Sequence, residues 1–261
     1  MQMHRLDNKV AFISGSASGI GRATAILFAQ EGAKVCIADI NDEAGAETVR
    51  MATEGAQESR GGAFFTHVDV TEHDSVRNGI AQAVERYGKL NILHNNVGGS
   101  TTNDGPVTEA PDSEFWRCMT VDVFGTFLCS KYGIPEIIKA GGGSVINMAS
   151  NLALMGLPGR DCYTAAKGAV AAMTRSMAVE YAPHKIRVNA IAPSMTLTDR
   201  ARKHLEGTGP FSESVRKLTA THLLGPGQPI HVANMALYLA SDESEITTGQ
   251  IMRVDSGVTI Y

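Results

Sequence analysis

Lys9-Val-Ala-Phe-Ile-Ser-Gly-Ser-Ala-Ser-Gly-Ile-Gly21 is a short apolar run of strand formers that breaks into a glycine turn. A helical pattern follows, with Ala25, Ile26, Phe28 and Ala29 on one apolar face, and it ends at Gly32. Strand, turn and helix in that order aim backbone N–H groups and the positive end of a helix at a phosphate. Gly15, Gly19 and Gly21, spaced G-x-x-x-G-x-G around Ser18 and Ile20, leave out side chains where backbone and a pyrophosphate nearly touch. The plainer reading is a turn with no ligand. The next segment weighs against it. Lys34-Val-Cys-Ile-Ala-Asp39 reads as a second strand, and its terminal acid stands 18 residues after Gly21. A dinucleotide-binding unit places a carboxylate there for the adenosine ribose hydroxyls. As a purely structural residue, Asp39 would cap a turn or helix.

Strand-like runs alternate with helical stretches along all 261 residues, which predicts one domain over 1–261: a doubly wound parallel α/β sheet with helices on both faces. No linker, repeat or low-complexity tract interrupts the pattern. The formal net charge is −4 with both signs mixed, which gives no support for nucleic acid or an anionic membrane as a partner. No signal peptide or apolar run of transmembrane length is visible, so a cytoplasmic protein is expected. Cys36, Cys118, Cys129 and Cys162 lack C-x-x-C spacing, and the eight histidines are scattered. That pattern predicts reduced thiols and no metal site.

A second signal lies in the other half. Tyr163-Thr-Ala-Ala-Lys167 puts a phenol and an ammonium on one face of a helix, thirteen residues after Ser150. A free phenol, with a pKa of about 10, is too weakly acidic to serve as a base at neutral pH, and a fixed cation beside it lowers that value. A serine hydroxyl nearby could hold a substrate oxygen while the tyrosine moves its proton, the acid–base half of an alcohol–ketone interconversion. The alternative is a packed ring beside a solvated amine, and the glycine turn upstream favours the chemical reading.

With both ends in view, the chain resembles the short-chain dehydrogenase/reductase family over nearly its whole length, and a Rossmann-like fold follows from the resemblance. Smaller signatures recur in order. Asp69-Val70 resembles the end of the third strand, where the family contacts adenine. Asn95-Asn96-Val97-Gly98 resembles the segment after the fourth. Ser144 to Ser150 resembles the fifth strand with its active-site serine, Arg187 to Pro193 the sixth, and Thr248-Gly249-Gln250 with Val254-Asp255 the last. The resemblance implies a cofactor site at Gly15, Ser18, Gly19, Ile20, Gly21, Asp39, Ile40, Asp69, Val70, Asn96, Val97 and Gly98, with Tyr163 and Lys167 on the nicotinamide ribose and Pro193, Thr196 and Thr198 at the carboxamide. It implies a catalytic set of Ser150, Tyr163 and Lys167, joined by Asp122, and a homotetramer. Asp39 selects NAD over NADP, whose 2′-phosphate it would repel.

Glu114 to Lys139 reads as one long helix, with Phe115, Met119, Val123 and Phe127 at helical spacing. Asn151 to Cys162 and Thr196 to Pro229 should shape the substrate pocket, the second as a lid; Leu152, Met155 and Leu157 suggest apolar walls. The lid carries Arg200, Arg202, Lys203, His204, Arg216 and Lys217. One of its arginines could hold a substrate carboxylate, or the charges are simply the solvated face of a lid helix. Three positions depart from the family pattern: Asp122 stands for asparagine, Ser194 for glycine, and Gly225 for arginine. The implied activity is NAD(H)-dependent interconversion of a secondary alcohol and a ketone. Reduction of 3-oxoacyl thioesters is the alternative within the enzyme class, and a catalytically dead dinucleotide sensor or scaffold the alternative outside it.

Overall fold

The computed structural model describes residues 4–56 and 59–260. Residues 1–3, the beginning of the stretch read above for a signal peptide, lie outside them. Seven strands, β1 (Val10–Ser14), β2 (Lys34–Asp39), β3 (Gly62–His67), β4 (Ile92–Asn95), β5 (Gly143–Met148), β6 (Ile186–Pro193) and β7 (Ile251–Val254), form one sheet in the order β3-β2-β1-β4-β5-β6-β7. Every pairing is parallel. The near-continuous apolar runs of β1, β2 and β5 are what a sheet covered on both faces requires.

Alternate strand residues feed two cores. Ala11, Ile13, Ile92 and Ile146 pack beneath α1 (Gly19–Gln30), α2 (Asp42–Gly55) and α9 (Pro229–Ala240). Val10, Phe12, Leu93 and Val145 face α3 (His73–Tyr87), α5 (Gly125–Lys139) and α6 (Asp161–Tyr181). His94, on β4, is fully buried with neither ring nitrogen partnered, and burial holds its pKa down at about 3, so it is a neutral core residue. Among the described residues no helix is long and apolar enough to cross a membrane.

The winding direction reverses between β1 and β4, which opens a crevice at the strands' carboxyl ends. Two expected strand ends shift. β3 stops at His67, so Asp69-Val70 lies in the loop beyond it, and β5 stops at Met148, two residues short of Ser150. Ladder pairing ends where the chain must turn toward the next helix, and the groups of interest sit just past that edge.

The helix expected over Glu114 to Lys139 is broken. It runs as α4 (Asp112–Cys118), a π-helical turn at Met119–Phe124, then α5. One extra residue per turn rotates everything after it, and hydrophobic spacing alone does not register that. The predicted stripe therefore splits. Phe115 and Phe127 are solvent-exposed, while Met119 and Val123 pack on Cys118, Cys162 and Ala166.

Candidate active site

The crevice at the ends of β1, β2 and β4 is a cavity of about 480 Å³. Gly15, Ser18, Gly19 and Ile20 line it from the glycine turn, Asp39 and Ile40 from the end of β2, Asp69 and Val70 from beyond β3, and Asn96, Val97 and Gly98 from beyond β4. Gly21 lies behind this wall, and a side chain there would collide with the Gly15 carbonyl. Gly15 adopts φ +65, a conformation that favours glycine. The turn is fixed from behind by a residue the sequence did not single out. Arg22 donates to the Ala17 carbonyl (2.6 Å) and the Thr48 hydroxyl (2.9 Å), so its charge is turned away from the cavity and toward α2. Asp39 accepts the Ala17 N–H (2.9 Å) and the Asn41 N–H (3.1 Å), one on each oxygen. Each oxygen keeps a lone pair for a hydroxyl group.

Ser150, Tyr163, Lys167 and Asp122 converge beside this cavity. The Lys167 ammonium donates to the Met148 carbonyl (2.8 Å) and to Asp122 Oδ1 (2.9 Å), and it stands 5.5 Å from the centre of the Tyr163 ring. Both members of the ion pair are buried. The π-helical turn aims Asp122 inward, where its Oδ1 also accepts the Gly99 N–H (3.1 Å) and its Oδ2 has no partner. The Asp122 backbone carbonyl accepts the Thr126 hydroxyl (2.7 Å). Gly98 leaves room for the pair, since a side chain there would run into the Asp122 carboxylate.

Burial raises the Tyr163 pKa above the ordinary phenol range; the Lys167 cation and a Ser150 hydrogen bond oppose that rise, and Asp122 adds to it. For Lys167 burial works against the ammonium, but Asp122 and Tyr163 outweigh it and the pKa stands above the ordinary value. The Ser150 hydroxyl donates to Asn151 Oδ1 (3.1 Å) and accepts the Leu152 N–H (3.2 Å). α6 is set in place by Asp104, whose carboxylate accepts the Cys162 and Tyr163 N–H groups (3.1 Å each). The sequence carried no signal for Asp104, because the acid lies nearly sixty positions from the helix it caps.

Known proteins resemble the chain over nearly its whole length. The family profile described as Enoyl-(Acyl carrier protein) reductase matches residues 15–259. An uncharacterized oxidoreductase, YxbG of Bacillus subtilis strain 168, is 41% identical over 99% of this chain and 94% of its own length. The chain belongs to the short-chain dehydrogenase/reductase family. Secoisolariciresinol dehydrogenase of Forsythia intermedia, a further relative, is 38% identical over 98% of this chain and 91% of its own. Carveol dehydrogenase of Mycobacterium avium, solved in complex with NAD, superposes with a TM-score of 0.89 at 29% identity over 99% of this chain and 100% of its own.

Within this short-chain dehydrogenase/reductase framework, two of the unusual residues join the site. Asp122 sits on Lys167, and Ser194 meets Asn151 Nδ2 (3.0 Å), the same amide group whose oxygen takes the Ser150 proton. Gly225 has φ +78 and open space around its Cα. Pro193 and Thr196 line a second, smaller cavity together with Ser150 and Tyr163, while Thr198 lines both cavities.

That second cavity, of about 220 Å³, is roofed by α7 (Asp199–Glu206) and α8 (Pro210–Ala220). Of the lid cations only Arg200 and His204 line it. Arg216 donates to the Leu205 and Gly207 carbonyls, tying α8 to α7, and Lys217 pairs with Glu213 (2.8 Å). The expected apolar walls are met by Leu152 and Leu157, but Met155 is replaced by Met195, Val215 and Leu218. Arg160, which the sequence did not single out, also lines this cavity.

Proposed function

We propose that this chain interconverts a secondary alcohol and its ketone with NAD(H). The observation that carries the reading is the buried Lys167 cation fixed beside Tyr163, with Ser150 in the same cavity wall. The glycine turn fits the cofactor, since Gly21 has no room for a Cβ and Gly15 and Gly19 bring bare backbone to the cavity wall. Gly15 to Gly21 would hold the pyrophosphate, Asp39 and Ile40 the adenosine ribose, Asp69 and Val70 the adenine, Asn96 to Gly98 and Lys167 the second ribose, and Pro193, Thr196 and Thr198 the carboxamide. Bound there, the nicotinamide supplies the hydride acceptor or donor.

Ser150 orients the reacting oxygen by a hydrogen bond. Tyr163, once ionised, takes the hydroxyl proton, and Lys167 favours that phenolate against the burial that raises its pKa, so more of the base forms as pH rises. The proton returns to solvent by way of Lys167 and a water near Asp122, whose carboxylate sets the charge around that ammonium. Exposed Phe115, Trp116 and Phe127 on the α4–α5 rod suit packing against a second copy, in keeping with a homotetramer.

Reduction of the keto group of a 3-oxoacyl thioester, the other enzyme reading, usually runs on NADPH, and Asp39 opposes the 2′-phosphate. Steady-state turnover with NAD and NADP across aliphatic, cyclic and hydroxy-acid secondary alcohols, with acetoacetyl thioester alongside, tests the reading. NAD-linked alcohol oxidation is expected. NADPH-linked thioester reduction as the dominant activity would replace it, and cofactor binding with no turnover would favour a sensor.

A further inference from the structure

The fixed charges of the smaller cavity are both positive. Arg160 and Arg200 line it beside His204, and among the described residues no aspartate or glutamate does. Arg160 is the unusual member. It precedes α6, three residues before Tyr163, and is only 5% exposed. Its guanidinium carbon stacks 4.0 Å over the Phe211 ring of α8. Nη1 donates to the neighbouring Gly159 carbonyl (2.7 Å), while the buried Nη2 has no partner. The acid whose charge it feels is Asp104, and that carboxylate is already engaged with the N–H groups of Gly105, Cys162 and Tyr163. His204 is held below its ordinary range by burial and then by Arg200 and Arg160, which reports the same positive field.

A buried guanidinium without an anion is costly unless something fills the place. Planar guanidinium matches a carboxylate with two parallel hydrogen bonds. Arg200 faces both cavities, so its anion could lie in either, but Arg160 lines only the one that holds Ser150 and Tyr163. Resting on the alcohol–ketone reading above, we propose that Arg160 is a substrate-carboxylate anchor and that the substrate is a small secondary hydroxy acid or the corresponding oxo acid. The cavity, at about 220 Å³, is of a size for a small ligand of this kind. The carboxylate passes through the reaction unchanged. The carbinol carbon loses a hydride and the hydroxyl a proton, and these go to the oxidised nicotinamide and to Tyr163.

The test compares lactate, β-hydroxybutyrate and γ-hydroxyvalerate, each against its methyl ester, in wild type, Arg160→Met and Arg160→Lys. The same NAD-saturated proteins are titrated calorimetrically with butyrate, which cannot be oxidised. In wild type at least one acid is expected to exceed its ester in kcat/KM by about 100-fold, and Arg160→Met to collapse that ratio by about 30-fold or more, as truncating one partner of a buried charged pair does. Arg160→Lys should recover part of it. Butyrate binding should weaken by a similar factor in Arg160→Met. If that variant does not fold, as judged by circular dichroism, Arg160→Gln takes its place. Esters used as well as acids, or an acid-to-ester ratio indifferent to Arg160, would overturn the anchor while leaving the alcohol reading standing. If no alcohol turns over at all, that reading falls and the titration decides alone. Butyrate binding lost on substitution keeps the carboxylate site, and a wild type that does not bind butyrate ends it.

Discussion

The two cavities meet at Ile20, Thr198 and Arg200, yet they are built in opposite ways. The larger is lined by backbone and by the acids Asp39, Asp69 and Asp199, and its walls are the loops that follow consecutive strands. The smaller is lined by cations and apolar side chains drawn from the loop after β5, the start of α6, and the lid helices. The first is a surface for something extended and phosphate-bearing, held by N–H groups that any sequence supplies once glycines clear the way. The second is a side-chain surface and can change its ligand by changing a few residues. Tyr163 lines the smaller cavity, and Lys167, four residues on along the same helix, lies behind the Gly98 wall of the larger, which is how one helix can serve the seam between them.

Removing the chemistry at the seam should have the largest effect. Tyr163→Phe keeps the ring and loses the proton-moving oxygen, so turnover should fall at least about 10²-fold while NAD binding by titration persists. Near-normal turnover in that variant would show that another group is the base. The larger cavity is probed next by Asp39→Ala. Two unit charges about 4 Å apart repel by about 4 kcal/mol at an effective dielectric near 20, so the NAD-to-NADP ratio of kcat/KM should fall by at least about 10-fold. Equal use of the two cofactors by wild type would defeat the assignment. Arg22 does not rescue the phosphate, because its donors are already committed to Ala17 and Thr48.

The smallest expected effect is a pH shift. Asp122 raises the Tyr163 pKa, and Asp122→Asn removes that charge while leaving an oxygen for Lys167 and Gly99. A lower phenol pKa means that the phenolate forms at lower pH. The rising limb of the oxidation profile in kcat/KM should therefore move to lower pH, by about one unit or less. A move to higher pH, or loss of activity in a folded variant, would make the carboxylate itself an obligatory proton carrier. The structure bears on one premise of this test. Asp122 does not point away to cap a stray N–H group alone; the same oxygen that takes the Gly99 N–H also holds the Lys167 ammonium.

The glycine-turn side of the larger cavity was legible from spacing, since Gly15, Gly19 and Asp39 belong to one strand–turn–helix–strand unit, while Asp69, Val70 and Asn96 to Gly98 followed from the family resemblance. Tyr163 and Lys167 were legible for a similar reason, since four positions on a helix make one face. Arg160 was not legible. An arginine after Leu-Pro-Gly in a loop reads as a solvated charge, and only the arrival of Phe211, fifty-one positions later, buries it. The lid cations could not be told apart for the matching reason. A helix pattern shows how many charges it carries, but not that Arg216 ties down Leu205 and Gly207 while Arg200 lies over the Gly98–Gly99 backbone.

By itself the sequence determined the parallel α/β sheet, the position of its glycine turn and the acid at the end of β2, and it singled out the serine, tyrosine and lysine that the fold brings together. Those follow from short-range spacing, where backbone geometry leaves few alternatives. The π-helical turn that swings Asp122 onto Lys167, the Asp104 cap on α6, and the burial of Arg160 under α8 were decided only by tertiary structure. Each depends on a partner far along the chain, and a charge acquires its function from the partners that folding brings to it or withholds.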